Sequence, residues 1–358
     1  MIKFLHAADL HLDSPFHDLS PQEAVCRRQE QRQQLLEIAD LANAENCDLI
    51  FFAGDLFDGE AIFPETAEIL YRALESFRGQ VFIAPGNHDY YTQTSPYSTL
   101  KFPENTHIFT SKTPDFVHLP HLDCTVYGAA FTSRTMPEML QNFSISGTSG
   151  THIMVLHGDA VNSRSDYNPI SKEQIAKSSL NYLALGHNHA FSGALSSEKT
   201  VYAWPGCPMG RGFDETGEKG VILGKIDEKS CEISFFPLLS RRYEVLYVPA
   251  DKDPLTYLPE NAKNDICRII FTGDSEPLDL QALHASLAPH FYALQLRDET
   301  TPKLDIWQSA GDDTLKGEFL SILQEKLASA NEEERAVLEL AARLGVAAME
   351  GREEVLEW

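Results

Sequence analysis

The chain has 358 residues, long for one domain, so a large core with an appendage or two is expected. With 53 acidic against 29 basic residues its formal net charge is −24, which argues against an unaided grip on nucleic acid, since that calls for a basic stripe. No apolar run approaches the ~18 residues of a membrane span, the opening is too weakly apolar for a secretory leader, and six dispersed cysteines without a CxxC pair point to a reduced, cytoplasmic setting.

In chain order, the first expected strand, IKFLHAA, runs into Asp9-Leu10-His11. Residues 21 to 45 read as a helix, with Pro21 in its first turn and Val25, Leu35, Leu36, Ile38, Ala39 and Ala42 on its apolar face. The strand DLIFFA leads to Gly54-Asp55-Leu56-Phe57-Asp58. A second helix follows from Pro64 to Phe77, striped by Ala67, Leu70, Ala73, Leu74 and Phe77. QVFIAP then leads to Gly86-Asn87-His88-Asp89, and THIMVL to His157-Gly158-Asp159. A capping-box pattern at Ser171-Lys172-Glu173-Gln174 opens a helix before YLAL, which ends at Gly186-His187-Asn188-His189. TVYGAAF, GVILGKI and CEISFFPL add strand-like runs, which fits two sheets packed face to face with helices outside.

After about residue 240 this pattern stops. RRYEVLYV, ICRIIFTG and ALQLRDE read as strands around a helix from about Leu278 to Leu287. From Asp312 onward, Leu315, Phe319, Ile322, Leu323 and Leu327, then Val337, Leu340, Ala341, Leu344 and Ala348, recur at helical spacing, so two amphipathic helices are expected.

Five polar segments therefore each close a buried strand, where open α/β sheets place their sites. Taken singly, Asp-x-His or Gly-Asp is an ordinary turn; the ordered set carries the signal. Two divalent ions roughly 3.5 to 4 Å apart can share one carboxylate and clamp a phosphate. Carboxylate, amide and imidazole donors suit Mn, Mg, Fe or Zn, and the absence of cysteine from the motifs excludes a thiolate site.

Together with HAADLHLDSPF (His6 to Phe16) and WPGCPMGRGFDETGEKGVIL (Trp204 to Leu223), the set resembles the calcineurin-like metallophosphoesterases, and within them the SbcD-type DNA exonucleases of the YhaO-like branch. The resemblance implies a four-layer α/β/β/α metallophosphoesterase sandwich over 1–240, a small α/β cap over 241–308 and a helical C-terminal tail over 309–358. It places Asp9, His11 and His189 on one metal and Asn87, His157 and His187 on the other, with Asp55 bridging. The implied cofactors are two divalent ions, manganese first and Mg, Fe or Zn as alternatives. A bridging hydroxide would attack phosphorus, His88 would stabilise the phosphate or protonate the leaving oxygen, and Asp58 would orient His88. Asp89 and Asp159 read as supporting groups.

The implied function is a two-metal phosphodiester hydrolase, a DNA exonuclease acting in DNA repair with an SbcC-like coiled-coil ABC-type ATPase docked on the tail. A phosphatase or cyclic-nucleotide phosphodiesterase with the same centre, or a silent scaffold, are the alternatives. The chain is expected to hold DNA only weakly alone. Arg27, Arg28, Arg32, Arg211, Arg241 and Arg242 read either as small basic patches or as solvated side chains. The tail's acids outnumber its bases by more than two to one, and its helices could equally pack on their own domain or pair in a homodimer. The eight histidines outside the motifs read as surface or satisfied core residues, with His17 and Asp13 the two that could still line the site.

Overall fold

The computed structural model describes residues 1–145, 149–302 and 306–350. Twelve strands build two six-stranded sheets: β1 (Ile2–Ala7), β2 (Leu49–Phe52), β3 (Gln80–Ile83), β4 (Thr106–Ile108), β5 (Asp115–Leu119), β6 (Cys124–Gly128), β7 (Thr151–His157), β8 (Tyr182–Gly186), β9 (Leu195–Ser197), β10 (Thr200–Ala203), β11 (Gly220–Ile226) and β12 (Cys231–Pro237). The first sheet runs β12-β11-β1-β2-β3-β4, with β1 to β4 parallel and β11 and β12 antiparallel at one edge. The second runs β5-β6-β7-β8-β10-β9, parallel through its four central strands.

Side chains alternate across each strand, so every buried strand feeds two layers. Phe4, Phe51 and Phe82 point between the sheets and meet Val126, Ile153, Val155 and Tyr182 there. Their neighbours Leu5, Ile50, Phe52, Val81 and Ile83 turn outward and are covered by α1 (Pro21–Ala44) and α2 (Pro64–Ser76). On the far side Met154, Leu156, Leu183 and Leu185 pack against Ile170, Ile175 and Leu180, around the helix Lys172–Ser178. These apolar layers define a four-layer α/β/β/α sandwich.

Helix α1 departs from its expected face. Val25 is 47% exposed, while Arg27, Gln31 and Gln34 are buried. The reason is what the first half of the helix covers: loop carbonyls rather than the sheet. Gln31 Nε2 donates to the carbonyls of Leu10 and His11 (3.2 and 3.0 Å), Gln34 Nε2 to that of Pro208 (2.8 Å) and Arg27 to that of Gly210 (3.0 Å).

Beyond the sandwich, β13 (Tyr243–Pro249), β14 (Ile266–Thr272) and the strand Ala293–Asp298 form a three-stranded sheet beside the helix Leu280–Leu287. The tail helices Leu315–Leu327 and Glu332–Met349 bury Leu320, Leu323, Ala342 and Val346 against each other; Phe319 packs over Gly345, where any Cβ would meet its ring. Leu315, Ile322, Val337 and Leu340 stay exposed. The end of the expected tail, 351–358, lies outside the described residues. By its contacts the chain divides into two compact units, one comprising Met1–Leu246, Leu258–Ile269 and His284–Gln295, the other Tyr247–Tyr257, Ile270–Leu283 and Leu296–Trp358. Among the described residues no helix is long and apolar enough to cross a membrane.

Candidate metal centre

The five polar segments lie at or just beyond the carboxyl ends of β1, β2, β3, β7 and β8, so both sheets contribute to one place. Asp9, His11, Asp55 and His187 all have positive φ (55°, 45°, 50° and 102°), a backbone state that costs a non-glycine residue about 1–3 kcal/mol. Neighbouring loops impose it. Asp9 N–H bonds Gly54 O at 3.0 Å, His11 N–H bonds Asp55 O at 2.9 Å, and Asp58 N–H returns to Leu12 O at 3.1 Å. Gly54 has φ 91°, and a Cβ there would lie 2.2 Å from His157 Nδ1. Only glycine leaves room for the imidazole.

The donor atoms converge on one cleft. His157 Nδ1–H donates to Ala53 O (3.0 Å), which turns the Nε2 lone pair toward Asn87 Oδ1 at 2.9 Å and Asp55 Oδ2 at 3.4 Å. His11 Nδ1–H donates to Asp58 Oδ1 at 3.0 Å, and its buried Nε2, 3.6 Å from Asp55 Oδ2, has no hydrogen-bond partner. Lone pairs aimed at one another across about 3.5 Å in a buried cleft repel unless a cation lies among them, so these residues fit a metal centre. Among the described residues three triplets have ligand atoms within 4.8 Å of one another, Asp9–His11–His189, Asp9–Asp55–His157 and the more exposed His11–Asp58–His88; Asp9 belongs to two of them, and Asp55 Oδ2 also lies 3.6 Å from His11 Nε2. His187 is in none of them; its backbone N–H bonds Asp9 Oδ1 at 3.0 Å, and its ring lies 5.2 Å from that of His157 and 5.1 Å from that of Tyr167. The His88 side chain, 40% exposed, sits at the rim with its ring 4.8 Å from that of His11, and its N–H is tied to Asp55 Oδ1 at 2.9 Å.

Charge follows burial. Burial raises the Asp9 carboxyl to about 6 against the pull of His157 and His189. At Asp55 burial pushes the same way, yet the rings of His157, His11 and His88 outweigh it and hold that carboxyl at about 2. His187 is lowered to about 4 by burial and then by His157, which keeps its ring neutral and able to donate a lone pair.

Behind the ligands stands a layer the sequence reading did not assign. Glu215, 5% exposed, accepts from His189 Nδ1–H at 2.6 Å. Arg211 donates through Nη2 to Glu215 (2.7 Å) and through Nη1 to Asp58 (3.1 Å). Asp58, expected to orient His88, makes its short hydrogen bond to His11; His88 Nδ1 lies 4.0 Å from it. The His11 ring is the nearer and more deeply buried of the two, and so takes the carboxylate. Asp89 accepts from Gly86 N–H, Phe57 N–H and Tyr97 Oη, binding the β2 and β3 loops together, and burial raises its carboxyl to about 6. Asp159 caps its own turn through Val161 and Asn162 N–H. Asp13 holds Phe63 N–H and Thr66, and His17 is exposed.

A sandwich of this kind with mixed oxygen and imidazole donors at its strand ends is a metal-dependent phosphoesterase, and the profile of the calcineurin-like phosphoesterases matches residues 2–202: the chain belongs to that family, whose members use a dinuclear metal centre. It is 30% identical over 345 residues to YhaO of Bacillus subtilis strain 168, named an uncharacterized metallophosphoesterase, across 88% of this chain and 83% of that one. The SbcD component of the nuclease SbcCD of Rhodobacter capsulatus is 32% identical over 108 residues, 29% of this chain and 24% of its own. Among solved structures, TT1561 of Thermus thermophilus aligns at a TM-score of 0.40 and 12% identity, covering 65% of this chain and 98% of its own. A dimetal phosphatase of Danio rerio aligns at 0.40 and 10%, covering 62% and 92%.

Proposed function

We propose that this phosphoesterase is a two-metal phosphodiesterase that trims DNA from an end, in cytoplasmic DNA repair, together with an SbcC-like ABC-type ATPase. One observation carries the hydrolytic part: the carboxylate of Asp55 faced on one side by the unpartnered Nε2 of His11 and on the other by Nε2 of His157. In this reading Asp9, His11 and His189 hold one ion, Asn87, His157 and His187 the other, and Asp55 both. Manganese suits the oxygen and imidazole set, as do Mg, Fe and Zn. When bound, two such ions clamp a phosphodiester and bring the pKa of water toward neutrality.

The chain's own residues supply the rest. Asp9 and Asp55 are held in place by backbone N–H groups of His187 and His88. The half-exposed ring of His88, 4.8 Å from that of His11, is the group we assign to meet the leaving oxygen and give it a proton. DNA as substrate rests on the 108-residue likeness to the nuclease component. At a net charge of −24 the isolated chain binds duplex weakly, which assigns the grip to a partner. The exposed Leu315, Ile322, Val337 and Leu340 offer such a partner, or a second copy, an apolar helix face.

The test is hydrolysis of end-labelled single- and double-stranded DNA beside a chromogenic phosphodiester and a monoester, with Mn, Mg or chelator. Diester cleavage and shortening from the ends with Mn, abolished by chelator, is the expected result. Cleavage of monoesters or cyclic nucleotides alone would make the chain a small-substrate enzyme, and inertness with metal loaded would make it a scaffold.

A further inference from the structure

The geometry points to Arg211 as a positioning residue that sets two histidines of one metal site at once, an inference that rests on the metal-centre reading above. His11 and His189 lie far apart in sequence, yet their rings meet edge to face at 5.2 Å and share a triplet with Asp9. Each presents Nε2 to that triplet's interior, and each is held from behind by a carboxylate on Nδ1: Asp58 at 3.0 Å for His11, Glu215 at 2.6 Å for His189. Both carboxylates end on one guanidinium. Arg211 Nη1 reaches Asp58 Oδ1 at 3.1 Å and Nη2 reaches Glu215 Oε1 at 2.7 Å, while its backbone N–H takes Glu215 Oε2 at 2.8 Å. The Asp9–Asp55–His157 triplet is held differently, since His157 rests on the carbonyl of Ala53.

A planar guanidinium presents its N–H groups in a fixed fork, so the two carboxylates are fixed relative to each other and the imidazoles with them. The ion held by Asp9, His11 and His189 therefore depends on Arg211, and the other ion does not. A lysine keeps the charge but offers a single point and cannot span both carboxylates. Removing a group that orients a ligand costs about 10- to 100-fold in metal affinity.

The experiment titrates zinc and manganese into the metal-free full-length protein and its variants Arg211→Met, Arg211→Lys and Glu215→Gln. Calorimetry gives the affinities, long-range 1H–15N spectra follow the ring nitrogens of His189 and His157 as separate reporters during the zinc titration, and circular dichroism checks the fold. We expect all three variants to weaken the His189 site 10- to 100-fold while the His157 site stays within about twofold. In metal-free wild type both His11 and His189 should carry their proton on Nδ1, and in Arg211→Met that tautomer should be mixed. Unchanged affinity in Arg211→Met, equal loss at both sites in a folded variant, or full rescue by Arg211→Lys would each overturn the inference. If wild type takes up one ion only, the two-metal reading falls, and the inference is decided by whether that ion weakens in Arg211→Met.

Discussion

Among single residues, His88 separates holding metal from acting on substrate. Its ring lies 4.8 Å from that of His11, and the triplet it forms with His11 and Asp58 is the most exposed of the three, so His88→Ala should keep both metals and substrate binding while kcat falls roughly 10²- to 10⁴-fold. Metal content and kcat of that variant check this, and loss of an ion would make His88 a ligand. The seven residues proposed as ligands could be picked out as candidates because acids, amides and imidazoles stand where apolar strands stop, a pattern the chain carries in one dimension. Arg211 and Glu215 were not. Arg211 lies 153 residues from Asp58, and nothing in its neighbours distinguishes a half-buried guanidinium held between two carboxylates from one in water. The one available signal was an Arg and a Glu four apart inside the Gly-rich stretch already singled out, a spacing that brings them into one ion pair. Asp58 was read from its place in a motif, and its partner changed because three groups compete for one carboxylate.

Secondary elements followed the sequence closely wherever burial has a period. The helix expected over 21 to 45 spans Pro21–Ala44, and that expected from Pro64 to Phe77 spans Pro64–Ser76. The polar first half of α1 broke the pattern because it binds loop carbonyls, an interaction with no periodicity. Loop shape is equally demanding. Gly54→Ala forces a methyl onto the His157 ring at a φ of 91°, and about 2–5 kcal/mol of lost stability is expected from the strain and the overpacking together. Urea melts of metal-free protein would show it, with loss of metal binding in parallel.

Between the sheets, His6 is fully buried with Nδ1 2.9 Å from Tyr182 Oη, and burial lowers it from 6.5 to about 3. The unfolded chain takes up a proton near pH 6.5 and the folded one only near 3, so the unfolded state binds more protons in between. Stability from this residue is therefore complete above about pH 6.5 and falls as pH drops, by roughly 2 kcal/mol at pH 5. Melts of metal-free protein from pH 5 to 7.5 should show a shallower slope in His6→Gln than in wild type; equal slopes would remove His6 as the cause.

For the whole molecule, acidity and the tail make one prediction. Deleting residues 312–358 should leave hydrolysis of a small phosphodiester nearly intact and abolish co-purification with an ATPase partner, along with any gain in DNA processing. What duplex binding the isolated chain has should weaken as salt rises. Unfolding of the truncated chain, or splitting of a dimer with no partner found, would make the tail a packing element.

The centre also has a mechanical meaning. Asp9, His11, Asp55 and Asn87 hang from the first sheet, His157, His187 and His189 from the second, and the layer between the sheets is built mainly of apolar side chains, with His6 bonded to Tyr182 across it. Ions seated among these groups would rivet two leaves that otherwise meet through side-chain packing and a few hydrogen bonds such as His6–Tyr182. Each ion adds RT ln(1 + [M]/Kd) to stability, about 2.7 kcal/mol at a hundredfold excess over Kd. The melting temperature would then rise with metal supply, which makes it a gauge of occupancy.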